Sequence, residues 1–134
     1  MSRISDIAGE VASALHEEYG AEVPYSPVFE LRRLSRDMCV VVPAGETLET
    51  ASRSAVKRTY EIQVGLVRKS VSDEVSDAFV STVEALGLRL RGLSPSGTTC
   101  TSITFDPLYS VDEIRRSNVL VSVVIAKYVE FCVP

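Results

Sequence analysis

The residues that could do chemistry concentrate in TFDPLYSVDEIRRSN, 104–118, where Asp106, Tyr109, Ser110, Asp112, Glu113 and two arginines interrupt apolar sequence. A catalytic loop can have this make-up, and so can a structural elbow. Proton transfer by Asp106 or Tyr109 needs a partner base or a metal, and the sequence supplies no evident one. The elbow accounts for more of the residues. Pro107 has no N–H to give a ladder, so the preceding strand must stop. Ser110 and Glu113 stand at capping-box spacing, the hydroxyl accepting from the N3 amide while the glutamate reaches back, a device worth about 1 kcal/mol. Asp112 and Glu113 at the start of the resulting turn, and Arg115 and Arg116 at its end, complement its dipole. Leu108 and Ile114 can pin it to a core. Asp106, Pro107, Tyr109, Ser110 and Glu113 are therefore read as a structural elbow.

Elsewhere the search for chemistry yields little. The single histidine, His16, lies off the apolar stripe of its helix, and nothing near it resembles a nucleophile elbow. Cys39, Cys100 and Cys132 are far apart, which suits neither a zinc site nor a disulfide framework and points to reduced thiols in a cytosolic setting. GLRLRGLSPSG is neither a P-loop nor a dinucleotide fingerprint. Asp73, Glu74 and Asp77 make an acidic helix face, read as solvated, with a divalent ion as the alternative. No catalytic residue, metal or cofactor is expected. Two basic clusters remain, Arg32, Arg33 and Arg36, then Arg53, Lys57 and Arg58. They are either solvated surface or a complement to an acidic patch on a neighbouring subunit.

With 134 residues the chain suits one domain, 1–134. Lysine plus arginine number 14 against 18 acids, net charge -4, which argues against binding by phosphate neutralisation and against an anionic membrane partner. MSRISDIAGE has no apolar core, so no secretory signal is expected, and the longest apolar run, 119–126, is too short to span a bilayer.

The elements follow from periodicity. Ile4, Ile7, Val11, Leu15 and Tyr19 predict a helix ending at Gly20. VFELRRL and MCVVV predict a hairpin turning at 35–37, closed by Pro43. Residues 44–54, small and polar, read as an exposed, mobile loop. Tyr60, Ile62, Val64 and Leu66 alternate along a strand over 55–69, long enough to project beyond its own sheet. Ser72 can cap a helix striped by Val75, Phe79, Val83 and Leu86, weakened at Gly87. Strands follow at 100–105 and 118–131. The last is apolar on both faces and must be covered on both. The predicted class is α+β, order α-β-β-β-α-β-β, a mostly antiparallel sheet packed by two helices.

KRTYEIQVGLVRK, an amphipathic helix, and ITFDPLYSVDEIRRSNVLVSVVIAKYVEF together resemble the tail-terminator, or tail-completion, proteins of tailed phages. The ordering of elements matches over nearly the whole chain. The resemblance implies a non-enzymatic virion protein that forms a ring of six, caps the tail tube, ends its polymerisation and offers a surface to the head connector. The sheet and its long strand would build the ring, and the 44–54 segment would face the tube or a neighbour. Arg32, Arg36, Glu46, Thr47, Leu48, Arg53, Lys57 and Arg58 are then the candidate interface. The implied partners are other copies, the tube protein, connector and neck proteins and the sheath. DNA would pass the lumen without specific binding, and assembly would take place in the host cytoplasm. A head-closure or connector adaptor of the phage neck is the nearest alternative, and a small enzyme using Asp106 and Tyr109 the more distant one.

Overall fold

A computed structural model of the chain describes residues 2–23, 38–69, 77–106, 108 and 119–133. In order these form α1 (Arg3–Tyr19), β1 (Ala21–Glu22), β2 (Met38–Ser52), β3 (Ala55–Lys69), α2 (Asp77–Arg91), β4 (Thr99–Phe105) and β5 (Val119–Cys132), with a 3-10 turn at Pro95–Gly97 before β4. The five strands make one sheet in the order β1-β2-β3-β5-β4. Among the described residues the β1–β2 pairing is the parallel one and the other three are antiparallel. The fold is α+β with the element order predicted, and its first described strand is one the sequence reading did not place. It is the two residues Ala21–Glu22, beside Cys39 and Val40; the hairpin arm expected at VFELRRL lies outside the described residues.

α1 begins at Ser2, whose hydroxyl accepts from the Ser5 amide at 3.2 Å. It ends at Gly20, which adopts φ 65° and donates its N–H to His16 O at 2.8 Å. That left-handed cap is open to glycine at no steric cost. Ile7, Val11 and Leu15 are fully buried on one stripe. In α2 the stripe is Phe79, Val83, Leu86 and Leu90. Gly87 does not weaken this helix, which runs on to Arg91. A Cβ at Gly87 would stand 2.5 and 2.9 Å from two ring atoms of Phe105. The glycine is there so that α2 can lie close on β4, and that packing outweighs its poor propensity of about 1 kcal/mol. The Tyr128 hydroxyl donates to Leu90 O at 2.7 Å, sharing that carbonyl at the end of α2 with the Leu93 N–H at 3.2 Å.

Both helices cover one face of the sheet. Cys39, Val41, Tyr60, Ile62, Val64, Leu66, Val124, Ala126 and Tyr128 share a core cluster with the buried faces of α1 and α2. Alternation puts Val40, Val42, Val67, Val121 and Val129 on the other face, where they are also buried. Val123 and Ile125, on that second face, are half-buried and Lys127 is exposed. The last strand is thus sealed on its helix side and graded on the other. No described helix is long and apolar enough to cross a membrane.

Two further expectations change. Pro43 does not end β2. The strand takes an irregularity between Pro43 and Gly45 and continues to Ser52. A bulge absorbs the missing N–H and lets pairing resume. β3 does not project beyond the sheet, because it is paired with β2 on one side and with β5, from Val56 to Lys69, on the other.

Candidate functional site

Residues 44–52, read as a mobile loop, are a strand, and Arg53-Ser54 is the turn that sends the chain back along β3. The Ser52 hydroxyl accepts from the Ser54 amide at 3.3 Å, a local brace within the turn. Glu46 to Ser54 are all exposed, as the sequence suggested, but they are ordered by pairing Thr47 with Thr59, Leu48 with Arg58 and Glu49 with Lys57. The result is a two-stranded arm, with β5 alongside its inner strand as far as Cys132. Three of the large apolar side chains most open to solvent lie at this end of the sheet: Leu48 at 64%, Phe131 at 66% and Val133 at 84%.

A polar network fixes the arm to the body. The Tyr60 hydroxyl donates to Glu130 Oε1 at 2.6 Å. Arg3, in the first turn of α1, donates to both oxygens of Glu130, at 3.2 and 2.7 Å, and to Ser96 O at 2.8 Å. The fork matches a carboxylate in shape as well as charge. Arg58 forms an ion pair with Glu46 across the arm and sits 5.3 Å from the centre of the Tyr60 ring. One helix, two strands and the 3-10 turn, where Ser96 holds a left-handed φ of 52°, meet at this knot.

The network sets its own protonation. The Arg3 hydrogen bonds, aided by the one from Tyr60, hold the Glu130 carboxyl down at about 2 against the opposing effect of burial. Burial first, then the hydrogen bond to Glu130, pushes the Tyr60 hydroxyl up to about 12. The same carboxylate holds the Arg3 guanidinium above its ordinary value, and Glu46 does likewise for Arg58. Glu130 therefore stays ionised and Tyr60 protonated at neutral pH. Neither is poised to exchange a proton, which is what acid–base catalysis would require. What the arrangement can do is hold the arm at a fixed angle.

The candidate interface residues separate on this frame. Glu46, Thr47, Leu48, Arg53, Lys57 and Arg58 all lie on the arm. Lys57 and Arg58 do not form one basic patch, since strand alternation sends them to opposite faces and Arg58 is engaged by Glu46. Arg53 alone marks the exposed tip. Arg32 and Arg36 lie outside the described residues, as do Pro107, Tyr109, Ser110 and Glu113 of the elbow. Asp106 is exposed and its amide bonds to Val123 O at 2.9 Å, closing the β4–β5 ladder. Leu108 packs partly against the core. His16 is exposed, its Nδ1 3.2 Å from Ala21 O. Cys39 is fully buried, and desolvation pushes its thiol up to about 12, so it is inert. Among the described residues no three His, Cys, Asp or Glu side chains are grouped to hold a metal.

Sequence reasoning missed the knot of Arg3, Tyr60 and Glu130. One signal was there: Glu130 is a lone acid in the apolar run YVEFC, and a carboxylate in such a strand needs a partner. Comparison with protein-family models and with curated proteins finds no match.

Proposed function

We propose that this chain is a non-catalytic structural subunit that assembles with its own copies into a ring. The ring is of the kind that caps a phage tail tube, ends tube polymerisation and joins the tail to the head connector. The observation that carries this reading is the braced arm. Ordering a residue's backbone costs about 1–2 kcal/mol, and the outer strand of the arm has β3 as its one described neighbour. From Glu46 to Ser54 the arm has no buried residue to offset that cost within one subunit. Its exposed Leu48 on the helix face, and the exposed Phe131 of β5 on the opposite face at the same end of the sheet, provide apolar area that further chains would bury. The locked charges at its root favour a contact element over a catalytic one.

On this reading six copies enclose a lumen through which DNA passes without specific binding, in keeping with the net charge of -4. One ring face meets the tube and the other the neck proteins, so the protein's place is the tail–neck junction of the virion, with the sheath a further neighbour in contractile tails. Native mass spectrometry of the full chain across micromolar concentrations tests it. A closed oligomer is the expected result, and monomer alone throughout would overturn the reading. Adding the chain to polymerising tube protein should then fix tube length. An oligomer that ignores tube ends but binds portal complexes would make it a neck adaptor instead.

A further inference from the structure

We infer that copies join by strand pairing: the outer edge of the arm, Glu46–Ser52 of β2, adds to the outer edge of β4, Thr99–Phe105, on the next copy. This rests on the reading above that the chain assembles with itself, and it says how. In the strand order β1-β2-β3-β5-β4 the arm and β4 bound opposite sides of one sheet. β1 reaches only Cys39 and Val40, so Glu46–Ser52 has β3 on one side and no described strand on the other. β4 has β5 on one side and again no described strand beyond it. Because the Asp106 amide bonds to Val123 O, ladder alternation turns the backbone groups of Phe105 and Ile103 away from β5. Among the described residues each edge is a row of donors and acceptors with no strand paired to it.

Neither edge carries the lysine or proline that most often guards one, although each has a register irregularity, between Cys100 and Ser102 in β4 and between Thr50 and Ser52 in the arm, and the arm carries Glu46 and Glu49. Exposed edges are normally blunted by lysine, proline or an inward charge. TCTSITF carries none of these, and ETLETAS has no lysine or proline. The two segments match in length. Charge favours their pairing with each other over self-pairing. Glu49, on the face opposite the helices, would lie two strands, about 10 Å, from the exposed Lys127, which stands beside Ser102 on that same face and opposite Glu61 of its own subunit. Arm-to-arm pairing would instead join two segments that each carry Glu46 and Glu49 and no basic residue, and would stop at a dimer. Joining opposite edges leaves each new subunit with one edge still open, so addition continues until the ring closes.

The test is a cross-link between two positions on the helix side of the sheet, Leu48 and Cys100. In the full chain carrying Leu48→Cys and Cys132→Ser, with Cys39 buried, a short bis-maleimide should give a ladder of covalent multimers up to the ring size. Adding Cys100→Ser should abolish the ladder. Thr50→Cys, on the same face, is run in parallel in case position 48 disturbs the contact. Dimers that persist with Cys100→Ser would overturn the inference in favour of arm-to-arm pairing. Cys100 is half-buried against the core, so its labelling by a small maleimide is checked first in the unlinked chain; a native oligomer in which Cys100 labels but cross-links from neither arm position would overturn the inference while leaving the ring reading in place. A parent protein that is monomeric throughout would defeat both.

Discussion

β2 and β3 each run through two environments. In the base, Val41, Ile62, Val64 and Leu66 lie fully buried beneath the helices. Beyond Gly45 and before Tyr60, the same two strands carry threonines, glutamates and basic residues that meet water. The hydrogen-bond ladder crosses from one region to the other, with an irregularity at Pro43–Gly45, so the difference lies in the side chains alone. Burial makes the base the source of stability. The arm inherits its order from the base and from the Arg3–Glu130–Tyr60 knot, while its outer strand and turn stay exposed from Glu46 to Ser54.

The largest expected effect is in the base. Leu66→Ala should lower unfolding free energy by about 2–5 kcal/mol, the range for truncating a fully buried leucine, with chemical denaturation as the measurement. A loss below about 1 kcal/mol would mean that the base is not the stable half. Gly87→Ala comes next. Alanine favours a helix by about 1 kcal/mol over glycine, but the new Cβ would stand 2.5 Å from the Phe105 ring. Overpacking of this kind costs about 1–3 kcal/mol, so a net loss of about 1 kcal/mol is expected. Phe105→Leu in the same chain should recover much of it, because the ring that obstructs the methyl is gone. Full additivity of the two losses would show that the contact is not the cause.

Parts of this contrast could be read from the sequence and parts could not. The stripes of α1 and α2 and the alternation of β3 are local patterns, fixed by which residues face a core. The arm was misread as a loop because both its faces are solvated and it shows no alternation. Its strand character comes from pairing across the Arg53-Ser54 turn. Pro43-Ala-Gly45 has the composition of a strand end, yet a bulge carries the strand past it. The knot was the hardest to see, since Arg3 and Glu130 stand 127 positions apart and only the sheet brings them together. Gly87 looked like a helix defect because its reason, the Phe105 ring, lies on another element.

The knot joins the two regions, and it can be loosened with acid. The Glu130 carboxyl is lowered from its ordinary 4.5 to about 2 in the folded chain. A depressed folded value contributes stability that is fully present above pH 4.5 and is lost as pH falls towards 2. Glu130→Gln should therefore flatten the acid limb of the stability curve in that window. At neutral pH it should cost about 1 kcal/mol, modest because Arg3 is partly solvated and can rehydrate. An unchanged acid limb would mean that other carboxylates set it and that the arm is held by its ladder alone.

The smallest expected effect on stability is in the arm, and it is the sharpest test of the contrast. Leu48 is 64% exposed and its side chain takes no part in the core cluster. Leu48→Ser should change the unfolding free energy of the subunit by no more than about 0.5 kcal/mol, as surface substitutions do, measured at a dilution where the chain is monomeric. The same substitution removes an apolar side chain that association would cover, a loss of about 1.5–3 kcal/mol for a leucine fully buried on contact. That corresponds to about 10- to 200-fold weaker association at each interface, read by sedimentation across a concentration series. A variant that is less stable yet assembles normally would reverse the roles given to the two regions, since Leu48 would then serve the subunit and not its neighbour.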